Sequence, residues 1–260
     1  MINPENVQKF KSYGFVLTPV VKSKDPDADK KPVTNAKTNW TWSSKSGYEW
    51  NDQELLDANR IGAYHRKSGI FDVDFDDKDY NAHKFIDCLP ATFTVGKKVN
   101  GRTIATHLIY KTNDNVKDYK KAQPLVELLG NTQTIIAGVD RVIINDQEPI
   151  YYSADDIRAE CKLIATFSEL YKHWPKKDIG KRNEAYFKLG GALARHTDVP
   201  MHQRIKYVEK LCELTGDHEV KNRVSCIERQ QQKLDEGAED VYGMKELSDC
   251  LLYTSDAADE

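Results

Sequence analysis

The sequence predicts an α+β chain whose strands come first and whose helices come last. Three observations carry that expectation. Between Phe15 and Ile144, short apolar runs alternate with turn residues. After Tyr152 the apolar spacing becomes helical and stays so to about Glu236. Hydrophobic residues make up 39% and charged residues 30% of 260, enough to bury a core. No run of about 18 apolar residues occurs, so no membrane partner is expected.

The elements follow in order. Asn3 is placed to cap a first helix, with Pro4 at its first position and Gly14 beyond its end. Phe15 to Val21 reads as a strand, and Lys22 to Asn39 as a polar, lysine-rich loop. Trp40 and Trp42 follow, suited either to stacking on bases or to anchoring the loop. A helix is expected from Asp52 to Asn59, strands at Ile61–Tyr64 and Gly69–Asp76, and a helix from Asp79 to Cys88. Ala91 to Lys111 reads as a hairpin turning at Asn100-Gly101. Leu125–Leu129, Gln133–Ala137 and Arg141–Ile144 complete the strands. Ser153-Ala154-Asp155-Asp156 then opens the helical part with a capping signal. The expected division is a domain of mixed β-sheet with flanking helices over 1–152 and a small all-helical domain over 153–238. Residues 239–249 would begin a linker.

The ends and the cysteines bear on context. The opening Met1-Ile2-Asn3-Pro4-Glu5 is not a secretory leader, and the five cysteines are widely spaced. Cytoplasmic, reduced thiols are therefore expected, with neither a disulfide framework nor a Cys-x-x-Cys zinc site. Cys250 to Glu260 back-translates without a gap into a string resembling a transposase-end sequencing adapter; the alternative is an ordinary acidic tail. Without the three acids of that stretch the formal charge moves from -3 to zero, and the gene is expected to continue past Asp249. Neutrality neither demands nor excludes a nucleic-acid partner, which needs only a local basic groove.

Gly69-Ile70-Phe71-Asp72-Val73-Asp74-Phe75-Asp76-Asp77 is the first chemical signal. Alternation puts Asp72, Asp74 and Asp76 on one strand face, together with Ile70. Aspartate is a poor strand former and like charges repel, so the arrangement costs stability unless a cation neutralises it. Hard divalent ions favour such clustered oxygens. The alternative is a strand end running into a solvated turn that caps the next helix. His107, in Thr106-His107-Leu108-Ile109-Tyr110-Lys111, suits either a core position or a ligand-facing one. Glu127, inside Leu125-Val126-Glu127-Leu128-Leu129, is a charge in an apolar strand and calls for a partner.

Taken in order, hydrophobic-Asp-hydrophobic-Asp, a strand histidine and a strand glutamate resemble the three motifs of the archaeo-eukaryotic primase superfamily. The closest likeness is to the bifunctional primase–polymerase domain of phages and plasmids. Tyr13-Gly14-Phe15 leading to Pro19 and Lys31-Pro32, Ile61-Gly62-Ala63 before Ser68-Gly69, and Gln133 to Gly138 after Glu127 are similar to other family segments. The resemblance covers roughly residues 10 to 150. Ala105 stands where the family usually has a serine, and three carboxylates compete for two places in the first motif. Counting from Gly69 favours Asp74 and Asp76, with Asp72 as the alternative. His173-Trp174-Pro175, Gly180-Lys181-Arg182-Asn183-Glu184 and Leu189 to Arg195 resemble the helical domain that follows such primases. Val241 to Leu247 resembles the lead-in to a helicase domain, which the resemblance places in cis in a longer protein.

What the resemblance implies is template-directed nucleotidyl transfer, as a DNA primase and DNA polymerase replicating a phage or plasmid in a prokaryotic cytoplasm. The partners would be single-stranded DNA and nucleoside triphosphates. Asp74, Asp76 and Glu127 would hold two Mg²⁺ or Mn²⁺ ions. His107, helped by Lys111, would contact the incoming nucleotide. Lys97, Lys98 and Arg102 either line a nucleic-acid groove or form a solvated hairpin tip. Lys181 and Arg182, at a helix start, could meet phosphates or serve packing. Two rivals remain. A metal-dependent nuclease would use the same carboxylates but lacks a Glu-x-Lys near Glu127. A catalytically degenerate nucleic-acid-binding module draws its support from Ala105.

Overall fold

The computed structural model describes residues 2–20, 50–118, 125–175 and 179–256, so Trp40, Trp42 and the loop at 22–39 lie outside the described residues. The chain divides into two compact units. One comprises Met1–Lys78 and Ala91–Arg158; the other comprises Asp79–Pro90 and Ala159–Glu260.

The first unit begins with α1 (Pro4–Ser12), where Asn3 Oδ1 accepts from the Glu5 amide at 2.9 Å. It continues through β1 (Leu17–Val20), α2 (Asp52–Leu56), β2 (Arg60–Tyr64), α3 (His65–Ser68) and β3 (Ile70–Phe75). After an excursion into the other unit come β4 (Phe93–Val99), β5 (Arg102–Lys111), β6 (Val126–Leu129), β7 (Gln133–Gly138) and β8 (Val142–Asn145). The expected strands are all present within a residue or two. The short helix α3 was not legible, since four residues carry no period. Asn100 and Gly101 both take positive φ, 50° and 77°, which makes the tight turn between β4 and β5.

The expected mixed sheet is instead two antiparallel sheets. β1-β2-β7 form one and β6-β3-β5-β4-β8 the other. Every ladder between named strands is antiparallel; an isolated Lys111–Tyr151 bridge is parallel. Alternation assigns residues to faces but is blind to strand direction, which is why the sequence left this open.

β3 is an interior strand of the larger sheet, between β6 and β5, and is buried on both faces. Phe71, Val73 and Phe75 occupy one face, with Phe71 stacked on Tyr110 at 5.4 Å between ring centroids. Ile70 begins the other, in the core cluster with Phe10, Phe15, Leu17, Ile61, Phe93, Ile109 and Ile136. Asp72 and Asp74 follow Ile70 on that same face. A face that starts as core therefore ends in carboxylates.

The second unit is helical. It contains a 3₁₀ helix (Ala82–Cys88), most of α4 (Ala154–His173), α5 (Ile179–Ala194), α6 (Met201–Thr215), α7 (Val220–Asp235) and α8 (Met244–Asp256). Ser153 Oγ accepts from the Asp156 amide at 3.3 Å, as the capping signal predicts. The segment expected as a helix over 79–88 is shorter and tighter, and Phe85 packs on Phe167 and Tyr207. Gly190 and Gly191 are packing residues: a Cβ there would stand 2.9 Å from Cys226 O and 2.7 Å from Tyr242 O. α8 runs without interruption from the expected linker into the adapter-like stretch, burying Leu247, Cys250 and Leu251. Among the described residues, no helix is long and apolar enough to cross a membrane.

Candidate active site

Strand register assembles the site. Asp74 on β3 stands opposite His107 on β5 and, on its other side, opposite Glu127 on β6. Directly opposed residues of antiparallel strands have Cβ atoms about 4.5–5.5 Å apart, so Glu127, Asp74 and His107 form one lateral row. Asp76 lies just beyond the end of β3, exposed, and its charge acts on Asp74. These four residues, 53 positions apart at their extremes in sequence, are thus neighbours because β3 lies between β5 and β6.

Asp72 differs from its neighbours. It is fully buried, and its Oδ2 accepts hydrogen bonds from His107 Nδ1, at 2.9 Å, and from Thr134 Oγ1. His107 Nδ1 also lies 3.3 Å from Asp74 Oδ1. Asp72 Oδ1 is buried without a hydrogen bond among the described residues. His65, also fully buried, pairs through Nε2 with Thr134 Oγ1 at 2.7 Å.

The electrostatics follow from crowding and burial. Desolvation raises Asp74 to about 6; His107 pulls against this while Asp72, Asp76 and Glu127 reinforce it. Burial alone would lower His107, but the Asp72 carboxylate and its hydrogen bond outweigh that and raise it above 6.5. Burial lowers His65 to about 4, leaving it neutral at pH 7.

A basic cleft of about 480 Å³ is lined by Lys97, Lys98, Val139, Asp140, Arg141 and Val142. Arg141 is within electrostatic reach of both Asp74 and Asp72. Its Nε is buried without a hydrogen bond among the described residues. Asp140 is held by the buried Arg60, whose Nε donates at 3.0 Å. The sequence reading passed over Arg141, Thr134 and His65. An arginine before a short strand, a threonine within one and a histidine just after another carry no motif, and only the fold joins them to β3.

The other expected residues lie elsewhere. Lys111 sits four residues along β5 from His107, about 13 Å at strand rise, and its Nζ pairs with Glu148 at 2.5 Å. Arg102 is exposed at the hairpin end. Arg182 donates from Nε to Pro175 O at 2.7 Å and from Nη2 to Thr215 O at 3.2 Å, tying together ends of helices. Lys181 begins α5 in the helical unit, half-buried.

Among the described residues, no three His, Cys, Asp or Glu side chains are grouped as a ready metal cage. The donor chemistry nonetheless fits a divalent ion of the Mg²⁺ type, which takes one or two carboxylates and completes its shell with water and substrate phosphates. Asp74 and Glu127 offer two such carboxylates side by side, with Asp76 adjacent. No family model matches the chain, and no curated protein is significantly similar to it.

Proposed function

We propose that this protein is a template-directed nucleotidyltransferase, a DNA primase–polymerase, using single-stranded DNA and nucleoside triphosphates. The observation that carries the reading is the lateral row Glu127–Asp74–His107 beside the cleft of Lys97, Lys98 and Arg141. Clustered carboxylates with cations a strand or two away suit a reaction whose substrate is a polyphosphate and whose helper is a divalent cation. The order of motifs in the sequence supports the same reading.

Asp74, Asp76 and Glu127 would hold Mg²⁺ or Mn²⁺, which, when bound, polarises the phosphates and eases deprotonation of the attacking hydroxyl. In the reaction a 3′-oxygen forms a bond to the α-phosphorus. The bond from that phosphorus to pyrophosphate breaks, and the hydroxyl proton is lost to solvent. Asp72 holds the His107 ring through Nδ1, so that Nε2 is the nitrogen left to meet phosphate oxygens. Arg141, Lys97 and Lys98 supply positive charge where the polyphosphate's negative charge must be balanced.

The test uses the full chain, single-stranded templates, labelled nucleotides and Mn²⁺ or Mg²⁺, with and without a primer. Template-dependent products that vanish in Asp74→Ala and Glu127→Ala support the reading, and the unprimed reaction decides priming. Shortened templates would instead assign a nuclease. Intact DNA binding without products would assign a binding module.

A further inference from the structure

A chain of buried polar groups crosses between the two sheets of the first unit. Thr134 belongs to β7 in the three-stranded sheet, and Asp72 to β3 in the five-stranded one. Thr134 is 2% exposed, and Asp72 and His65 are fully enclosed. Polar side chains buried this deeply cost stability unless they are paired, and each here is paired with the next. His65 Nε2 meets Thr134 Oγ1 at 2.7 Å, Thr134 Oγ1 bonds Asp72 Oδ2, and Asp72 Oδ2 bonds His107 Nδ1 at 2.9 Å.

The directions of these bonds follow from the inventory of donors. Asp72 as a carboxylate can only accept, so both the Thr134 hydroxyl and His107 Nδ1–H donate to it. The hydroxyl's proton is thereby spent, so its oxygen accepts from His65 Nε2–H. A neutral His65, the form its burial enforces, has one N–H to give, and this arrangement requires it on Nε2.

We infer that Thr134 is a positioning residue: held by His65, it fixes the Asp72 carboxylate so that His107 keeps Nδ1–H toward Asp72 and Nε2 toward substrate. Within the nucleotidyl-transfer reading, this deepens the role of His107 and gives Asp72 a task other than metal binding. Two sheets are needed for it, since the hydroxyl comes from one and the carboxylate and imidazole from the other. A ring held by one nitrogen is already oriented when phosphate arrives, and orientation of this kind is worth about 10- to 100-fold in comparable supporting contacts.

The experiment has a spectroscopic arm and a kinetic arm. In the first, ¹H–¹⁵N spectra of the full chain are recorded for the wild type, Thr134→Val and Thr134→Ser, with His107→Gln identifying the His107 signals. The expected result is a slowly exchanging Nδ1–H resonance in the wild type. Thr134→Val, equal in shape but without a hydroxyl, loses it, and Thr134→Ser keeps it. In the second arm, kcat for nucleotide incorporation falls about 10- to 100-fold in Thr134→Val and recovers in Thr134→Ser, with primer–template affinity unchanged. Thermal unfolding is followed for each variant. Retention of the Nδ1–H signal and of the wild-type rate in Thr134→Val overturns the inference. So does a rate that tracks melting temperature in both variants and not the resonance. Should the wild type incorporate no nucleotide at all, the proposed function fails, and the spectra still decide whether Thr134 positions His107.

Discussion

In the helical unit, Arg223 lies buried against Asp217 at 3.0 Å, reaches Glu219 at 3.0 Å, and covers the face of Tyr186. Arg204 and Arg195 likewise end on backbone carbonyls, at Leu193 O and Val241 O, each 2.6 Å away. The sheet unit has such a pair in the buried Arg60 with Asp140, but elsewhere gathers carboxylates. Asp72, Asp74 and Glu127 crowd one sheet face with the His107 imidazole among them, and Arg141, within electrostatic reach, keeps a buried Nε without a hydrogen bond among the described residues. The first arrangement spends charge on holding helices together. The second crowds like charges together, and such crowding costs free energy that bound ions or a ligand would offset.

That contrast can be broken most sharply at the row itself. Asp74→Ala or Glu127→Ala should lower template-dependent incorporation by about 10³-fold, the upper range for removing one charge-stabilising group, while the chain stays folded. Gel analysis of extended primers, beside circular dichroism, checks both halves. Arg223→Ala should do the reverse. It breaks a buried pair and is expected to cost about 3–5 kcal/mol in denaturant unfolding.

The pH response sharpens the contrast further. Asp74 is raised from 3.8 to about 6, so its contribution to stability is full below about 3.8 and is lost as pH rises through 6. His65 is lowered from 6.5 to about 4, so its contribution is full above 6.5 and is lost as pH falls through 4. Each is on the order of 3 kcal/mol, and between pH 4 and 6.5 they oppose. Asp74→Asn should therefore raise the melting temperature at pH 7.5 and unmask a steep acid destabilisation that the wild type conceals. A melting curve of the variant parallel to the wild type from pH 4 to 7.5 would refute the opposition.

Two smaller effects separate the site from its surroundings. Arg141→Met should raise the nucleotide KM roughly 10-fold, the weight of one charge-assisted hydrogen bond, with little change in melting temperature. Lys111→Met removes an ion pair whose Glu148 partner is mostly exposed. It should shift stability by less than about 1 kcal/mol and leave incorporation rates unchanged. A large loss of incorporation in Lys111→Met would return that residue to the site.

Much of the sheet unit was legible because alternation is a local signal. The acidic face of β3, the Asn100-Gly101 turn and the strand positions of His107 and Glu127 all follow from short stretches. Which strand lies beside which does not, because pairing is set by contacts distant in sequence. Arg141, Thr134 and His65 were invisible for that reason. Lys111 shows a related limit. Facing the same way as His107 is a matter of parity, whereas proximity is a matter of rise along the strand. Arg182 suited phosphate contact and packing equally, because a cation at a helix start is ambiguous until its carbonyl partners are known.

The excursion of Asp79–Pro90 has a consequence for how such a protein can be inherited and dissected. Because the chain enters the helical unit, returns to the sheets and leaves again, no single cut separates the two. A gene piece ending near residue 152 would carry Phe85 away from Phe167 and Tyr207, the rings it packs between. The helical piece would in turn be made without the strip of chain that plugs it. Recombination can exchange whole beads on a string at one junction, but a thread sewn back and forth has to be inherited as a piece. The two units are therefore expected to travel together through evolution, and a functional fragment must include both.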